Sequence, residues 1–508
     1  HVYITTWSTS DSRQEIPPWI SKKPHYLGTI GKPNANTEDF ERNIIDNGMA
    51  SDAKRPKIDG SSTSDGSSKD PLQNFLHWCE TVGMTLSNKV YLSEEGTVAK
   101  YGMLARNDIE EGEVIFSIPR TALLFQNTTK VKAVLEEGKG SLESTSGWVS
   151  LLMALMWEYT APESYWGPYL SLWPNLKTLD HPMFWSEDER VRLLQGTGIP
   201  EAVDNDLNSI QQEYSDIVLP FIRSHPDLWD PEKHTLELYK NLVAFVMAYS
   251  FQEPLLEDEE DEKEPNLPMM VPMADMLNHV SNHSAHLEFT PECLKMVSVR
   301  RIGTGEEIFN TYGEMANWQL LHMYGFAEPY PGNSHDTADI QMSNVYKAAV
   351  QVTQSREDQR LLVERWSLLC EMEMVGDKGV FIFGQAGVLT VTELYNTLKI
   401  LSMPVEEFEE FKENEGWEEV EEGEDEEEKM MQALSNEGIP QLPPAWKKLI
   451  HSAARFTLDM YHGDLQNDKD LLEDKKAYAL LGSRERHALQ VRYGQKMILH
   501  KLLELTQP

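Results

Sequence analysis

The sequence has 508 residues, 40% of them hydrophobic and 25% charged, which is ordinary for a globular protein of two to four domains. Its formal net charge of −38 argues against duplex DNA as a direct partner and favours basic proteins. No apolar run approaches the roughly 20 residues that cross a bilayer, so we expect no membrane association.

The first 70 residues are polar and end in a Ser/Gly-rich stretch at 60–69, a composition that predicts disorder. Within them, Lys54-Arg55-Pro56-Lys57 is a short basic cluster of the nuclear-import type. The three cysteines, Cys79, Cys293 and Cys370, are too far apart to suggest a disulfide framework. We therefore expect a nuclear protein, with the cytoplasm as a second compartment.

Apolar residues at helical spacing predict a first helix over 72–82. Short apolar stretches separated by polar turns then predict strands at 90–92, 96–98, 102–105 and 114–118. A mainly helical insert follows at about 140–252, with its clearest helices at 148–159 and 236–249. Strands return over 271–312, where the stretch 302–309 repeats the pattern of 109–116 and predicts a second hairpin.

The region from 336 to the end is predicted to be helical. Two acidic runs, 253–264 and 406–428, contribute much of the negative charge. The first is expected to form a solvated surface loop, with attraction of a basic peptide as the alternative.

Three short segments could carry chemistry: Ala99-Lys100-Tyr101-Gly102-Met103, Ala274-Asp275-Met276-Leu277-Asn278-His279, and Phe309-Asn310-Thr311-Tyr312-Gly313 with Tyr324-Gly325-Phe326 downstream. Their order, within strands split by a helical insert, resembles that of SET-domain methyltransferases. The helical region behind them, without a Cys-rich segment, resembles the Rubisco large-subunit methyltransferase branch. The resemblance covers about residues 72–508. It implies an α+β fold: a β-rich SET domain at 71–335, interrupted by the insert, then an all-α substrate-binding domain at 336–508.

The resemblance further implies a protein-lysine N-methyltransferase that uses S-adenosyl-L-methionine and acts on a lysine of a histone or a transcription regulator. Such a reaction is an in-line displacement that needs aligned reactants and no metal. It also needs a neutral amine, although lysine has a reference pKa near 10.4 and only about one side chain in 10³ is neutral at pH 7. A narrow apolar channel lowers that pKa by desolvation.

Site roles follow from the resemblance residue by residue. Tyr312 is the catalytic tyrosine, which aligns the target amine. The cofactor-binding residues it implies are Ala99, Lys100, Tyr101, Tyr249, Asn278, His279 and Tyr324. The substrate-binding residues are Trp148, Ser250, Gln252 and Tyr312. Lys100 departs from the family pattern, which has a glycine there.

Other interpretations remain open. Asn278, His279, Trp148 and Tyr249 could be ordinary turn or core residues. The spacing of His279, His283 and His286 after Asp275 is compatible with a metal hydrolase, although Val280 stands where the motif H-E-x-x-H has its general base. A non-catalytic SET-fold protein that binds basic partners is the second alternative, and the C-terminal region could dock a substrate or only stabilise the fold.

Overall fold

The computed structural model describes residues 70–173, 179–255, 266–413 and 424–507. The predicted disordered segment, the basic cluster and a large part of both acidic runs lie outside these ranges. Within them, no helix combines the length and the apolar character needed to span a bilayer.

The first ordered elements confirm the predicted helix and most of the predicted strands. Helix α1 (Pro71–Thr81) buries Leu72, Phe75 and Cys79 on one face. The strands that follow are β1 (Thr85–Leu86), β2 (Val90–Ser93), β3 (Gly102–Ala105) and β4 (Val114–Pro119). The predicted strand at 96–98 is wrong: these residues form bends, and the Val98 N–H donates to the Glu307 carboxylate (2.9 Å) instead of a strand partner.

The helical insert contains helices of four to 15 residues, of which Val149–Thr160 and Leu236–Tyr249 are rich in buried apolar residues. The helices are α2 (Lys132–Glu137), α3 (Val149–Thr160), α4 (Gly167–Leu170), α5 (Glu187–Leu194), α6 (Ile199–Glu213), α7 (Leu219–Ser224) and α8 (Leu236–Tyr249). Thr235 begins α8 by accepting a hydrogen bond from the Leu238 N–H through its side chain. The helix ends at Tyr249, where the backbone becomes extended at Ser250.

The strands after the insert complete two sheets with the strands before it. They are β5 (Ser250–Phe251), β6 (Met269–Met270), β7 (Ala285–Phe289), β8 (Cys293–Ser298) and β9 (Glu307–Ile308), followed by helix α9 (Asn317–Tyr324). One sheet has the order β1-β4-β8-β7 and another β2-β3-β9, while β5 pairs with β6. Each larger sheet therefore combines strands from both sides of the insert.

The two similar stretches, 109–116 and 302–309, meet where each begins, at Ile109 and Ile302. The Ile109 N–H donates to Ile302 O (3.0 Å), and the Ile302 N–H donates to Ile109 O (2.9 Å). The first stretch connects β3 to β4 and the second connects β8 to β9, so each crosses between the two sheets. The predicted second hairpin is wrong, because a hairpin joins neighbouring strands of one sheet.

The C-terminal region is helical, but its described part also contains a strand pair that the sequence pattern does not predict. Its helices are α10 (Met342–Val352), α11 (Arg356–Glu371), α12 (Val391–Ser402), α13 (Val405–Glu413), α14 (Glu424–Ala433), α15 (Pro444–Leu458), α16 (Leu465–Glu473), α17 (Lys475–Leu480) and α18 (Ser483–Leu505). Strands β10 (Thr337–Gln341) and β11 (Val380–Gly384) pair antiparallel over five residues. The prediction of an all-α region therefore needs this correction.

Two hydrophobic cores underlie the fold. The first joins the sheets to the insert helices, and the second lies among the C-terminal helices. Helix α18 contributes to both: Ala488 and Val491 pack into the first core, whereas Leu499 and Leu502 pack into the second. The two regions are thus joined by one continuous helix.

Candidate active site

A cavity of about 320 Å³ opens where the end of α8, strand β5, the short turn before Leu277 and the end of α9 meet. Its wall is mainly aromatic and apolar, with a few polar side chains. The lining residues that matter for the site are Tyr249, Ser250, Gln252, Asp275, His286, Asn310, Tyr312 and Tyr324. An enclosure of this size and composition suits a long aliphatic side chain with a polar end.

The tyrosines form one wall of this cavity. The rings of Tyr312 and Tyr324 stack at a centroid distance of 4.7 Å. The Tyr312 hydroxyl donates to Leu277 O (3.0 Å), so its oxygen keeps free lone pairs. Burial raises the pKa of Tyr312 well above its usual value, and Tyr249 nearby adds to the effect. Tyr312 is therefore a neutral phenol that can accept a hydrogen bond.

His279 lies behind this wall and holds the backbone of Tyr312. Its Nδ1 accepts a hydrogen bond from the Tyr312 N–H (2.9 Å), and the two rings stack at 5.0 Å. Its Nε2 lies 3.3 Å from Glu328 Oε1, but the contact is too poorly aligned to be a hydrogen bond. Both side chains are buried. The ring of His279 thus positions the residue that lines the cavity.

Asn278 connects three chain segments through its side-chain amide. Its Nδ2 donates to Tyr101 O (2.8 Å) and to Glu307 Oε1 (2.7 Å). Burial raises the pKa of Glu307, while the hydrogen bond from Asn278 opposes that shift. Gly102 makes this arrangement possible, because a Cβ there would lie 2.6 Å from Glu307 Oε1.

Asp275 lies at the cavity in a short 3₁₀ turn, Ala274–Met276. Met273, the residue before this turn, has a positive φ of 78°, which is strained for a side chain of this size. The Asp275 carboxyl accepts a hydrogen bond from the Tyr169 hydroxyl (2.5 Å). Burial raises the pKa of Asp275 to about 7.

The residues predicted for the site have four different locations. Tyr249, Ser250, Gln252, Tyr312 and Tyr324 share the cavity, and Asn278 and His279 lie directly behind it. Ala99 and Lys100 are exposed, with Lys100 Nζ 4.8 Å from the centre of the Tyr101 ring. Trp148 is buried in the first core and is not among the residues that line this cavity. The predicted binding roles remain predictions.

Three polar residues of the site were missed as candidates from the sequence: Glu307, Asn310 and Glu328. Asn310 and Glu307 lie within or next to the quoted segment 309–313, so proximity to Tyr312 was an available signal. Glu328 is 49 residues from His279 in the sequence, and no local pattern connects the two. The sequence suggests Asp275 only as a candidate metal ligand. Among the described residues, no group of His, Cys, Asp and Glu side chains could hold a metal ion.

Sequence comparison agrees with the class of protein that the split sheets and the aromatic cavity define. A family model described as "SET domain" matches residues 100–313, and one described as "Rubisco LSMT substrate-binding" matches residues 356–499. The chain is 73% identical to the N-lysine methyltransferase setd6 of Salmo salar, over 91% of this chain and 100% of that protein. The human N-lysine methyltransferase SETD6 is 52% identical, over 90% of this chain and 100% of its own length. The chain belongs to this SETD6 family of SET-domain N-lysine methyltransferases.

Solved structures agree with the fold. The structure described as Rubisco LSMT bound to AdoMet matches with a TM-score of 0.58 and 19% identity, covering 86% of this chain and 92% of that chain. The SET domain of LSMT bound to MeLysine and AdoHcy matches with a TM-score of 0.57 and 20% identity, covering 87% and 92%. At this identity the likeness establishes the α+β architecture predicted from the sequence.

Proposed function

We propose that this protein transfers a methyl group from S-adenosyl-L-methionine to the ε-amine of a lysine in another protein. The observation that carries the proposal is Tyr312: a neutral phenol in a cavity wall, held through both its hydroxyl and its backbone N–H. Membership of the SETD6 family supports the same reaction.

The polar groups of the cavity fit such a cofactor. Asp275 Oδ1 and Asn310 Nδ2 are buried atoms without a hydrogen-bond partner in the part of the chain that the structure describes. The cofactor carries both cations and hydrogen-bond acceptors, and when bound it supplies the electrophilic methyl group. Residues proposed to hold it are Ala99, Lys100, Tyr101, Tyr249, Asn278, His279 and Tyr324. Asn278 would act through its backbone, because its amide already binds Tyr101 and Glu307.

The residues around the acceptor lysine have separate tasks. Tyr312 accepts a hydrogen bond from the amine and thereby directs the nitrogen lone pair. The apolar wall excludes water and favours the neutral amine. Ser250 and Gln252 contact the substrate near the lysine, and Gln252 is held by its hydrogen bond to Asn266 O (2.8 Å). Trp148 is proposed for the same task through its place at the start of α3.

The acceptor proteins are proposed to be histones or transcription regulators in the nucleus. The acidic charge of the chain and the basic cluster at 54–57 support this proposal. We also propose the predicted division at residues 335/336, with the C-terminal region docking the substrate protein. The alternative is a non-catalytic protein that binds basic partners.

Transfer of tritiated methyl groups to a protein array tests the function. Wild-type protein should label lysines of particular proteins, and the Tyr312→Phe variant should label them at least about 10-fold more slowly, because one hydrogen bond to the amine is lost. Calorimetry should find near-normal cofactor binding by the variant, which separates a catalytic defect from misfolding. Labelling by Tyr312→Phe at the wild-type rate would exclude the proposed role, and a wild-type protein that binds the cofactor but labels nothing would favour the non-catalytic alternative.

A further inference from the structure

Within the described residues, the half-buried Asp275 carboxyl has one side-chain hydrogen-bond partner, whereas a carboxylate removed from water usually has several. Its Oδ2 accepts from the Tyr169 hydroxyl (2.5 Å). Its Oδ1 is inaccessible to solvent and has no hydrogen-bond partner among the described residues. A buried carboxylate in this state carries an unfavourable free energy unless a cation or further donors approach it.

The groups around Asp275 do not supply that cation. The negative charge of Asp275 opposes the ionisation of four nearby groups: Cys79 on α1, Tyr169 on α4, Tyr249 on α8 and Tyr312. All four are neutral at pH 7. His286 also lines the cavity, but its Nε2 faces Glu288 at 3.2 Å. In the part of the chain that the structure describes, Asp275 forms no ion pair with a basic side chain.

The cavity beside Asp275 is the place where the proposed reaction brings two positive charges together. Lysine enters as an ammonium, which must lose a proton before transfer, and the methyl donor carries a sulfonium. At an effective dielectric constant of about 20, a unit charge a few ångströms away remains strongly favourable. A fixed negative charge in this wall would therefore add to the cation–π attraction of the aromatic rings in retaining cationic ligands.

We propose that Asp275 is the counter-charge of this cavity, a positioning residue that makes it select ligands with an ammonium or sulfonium group. The inference rests on the proposed function, but it concerns binding and can be tested without turnover. The alternative is a structural one: the carboxyl only tethers α4 to the turn at Ala274–Met276 through Tyr169.

The chain contains a matched control. Asp339, in strand β10, is likewise half-buried, has an Oδ1 without a hydrogen-bond partner among the described residues, and has a pKa that burial raises to about 7. It is not among the residues that line this cavity. Replacing it removes a comparable buried carboxyl without changing the charge beside the ligands.

The test measures two binding preferences in wild type, Asp275→Asn, Asp339→Asn and Tyr169→Phe. The first is S-adenosylmethionine over S-adenosylhomocysteine, which differ in the sulfonium charge. The second is Nα-acetyl-lysine methylamide over its norleucine analogue. Asp275→Asn should reduce at least one preference about 10-fold. Which preference falls identifies the cation, whereas Asp339→Asn should retain both.

The pH dependence separates the counter-charge from a tether. Because burial raises the pKa of Asp275 to about 7, the wild-type preference should be present at pH 8 and decline towards pH 6 as the carboxyl takes up a proton. Asp275→Asn should show no such decline. Tyr169→Phe removes a hydrogen bond that favours the ionised carboxyl. The variant should therefore keep the ligand preference at alkaline pH, and the midpoint of its pH dependence should lie at a higher pH than in the wild type.

Three results would overturn the proposal: unchanged preferences in Asp275→Asn, equal losses in Asp339→Asn, or a pH-independent loss in Tyr169→Phe that matches Asp275→Asn. Methyl transfer is measured separately on the same proteins. If wild type transfers methyl groups while Asp275→Asn keeps both preferences, only the counter-charge fails. If the preferences depend on Asp275 but wild type transfers nothing, the counter-charge stands and the proposed function fails.

Discussion

The two ring nitrogens of His279 have different neighbours, and this difference defines its role. Because Nδ1 accepts from the Tyr312 N–H, a neutral ring carries its proton on Nε2, next to Glu328 Oε1. In the opposite tautomer, the Nδ1–H of His279 would point at the Tyr312 N–H, and this clash of two donors would displace Tyr312. The Glu328 carboxylate is itself fixed by the Ser281 N–H (2.9 Å) and hydroxyl (3.0 Å). Although it forms no aligned hydrogen bond with His279, its charge 3.3 Å from Nε2 favours the tautomer that holds Tyr312.

Replacement of Glu328 by alanine should therefore lower kcat about 10-fold with little change in KM, because Tyr312 is positioned less well for the step that follows binding. Steady-state kinetics would measure this split, and ¹⁵N NMR of His279 would report the tautomer. Ser281→Ala is the matched control, since it removes one partner of the carboxylate without touching His279. A change confined to KM, or an unchanged tautomer, would contradict the prediction.

At the scale of elements, the first residue of strand β3 leaves room for Glu307 to bind both Asn278 and the loop before β3. Gly102 begins β3, and Glu307 in β9 reaches across it to Asn278 and to the Val98 N–H. A Cβ at position 102 would also lie 2.6 Å from Thr97 Cγ2. The space above this glycine is thus occupied by the network that orders the site.

The Gly102→Ala variant should lose about 1–3 kcal/mol of unfolding free energy, because the added methyl group forces Glu307 or Thr97 to move. Urea denaturation would measure the loss. At Gly140, where a Cβ would meet nothing within 4 Å, the same substitution should stay within about 0.5 kcal/mol. Equal effects at both positions would show that the close approach at Gly102 is unimportant.

At the scale of the whole molecule, α18 joins the C-terminal region to the helical insert through buried charges. Asp468 accepts from Arg492 (3.0 Å) and from Lys496 Nζ (2.7 Å). Arg492 also donates to Leu193 O in α5 (2.6 Å). Since α18 supplies side chains to the first core as well, removing residues 336–508 would expose that core. Substrate docking by this region is better tested with surface substitutions than by truncation.

The Asp468→Asn variant should lose about 3 kcal/mol or more of unfolding free energy, because two buried cations would lose their counter-charge. Thermal and chemical denaturation would measure the effect. Asp470→Asn, an exposed position on the same helix α16, should be nearly neutral. If Asp468→Asn lost as little unfolding free energy as Asp470→Asn, the ion pairs would contribute little to the packing of α18 against the helical insert.

The sequence by itself determined the helices at 71–81 and 236–249, the split of the strands by the insert and the family, because these depend on periodicity and on short motifs. Five of the predicted site residues also share the cavity. For Tyr249, Ser250 and Gln252 this follows from their being near neighbours in the chain. Only the tertiary structure decided that the stretch 302–309 crosses between sheets, that Glu328 faces His279, and that Asp275 has no cationic partner within the described ranges. These features depend on contacts between residues tens to hundreds of positions apart, and no local pattern in the sequence records such contacts.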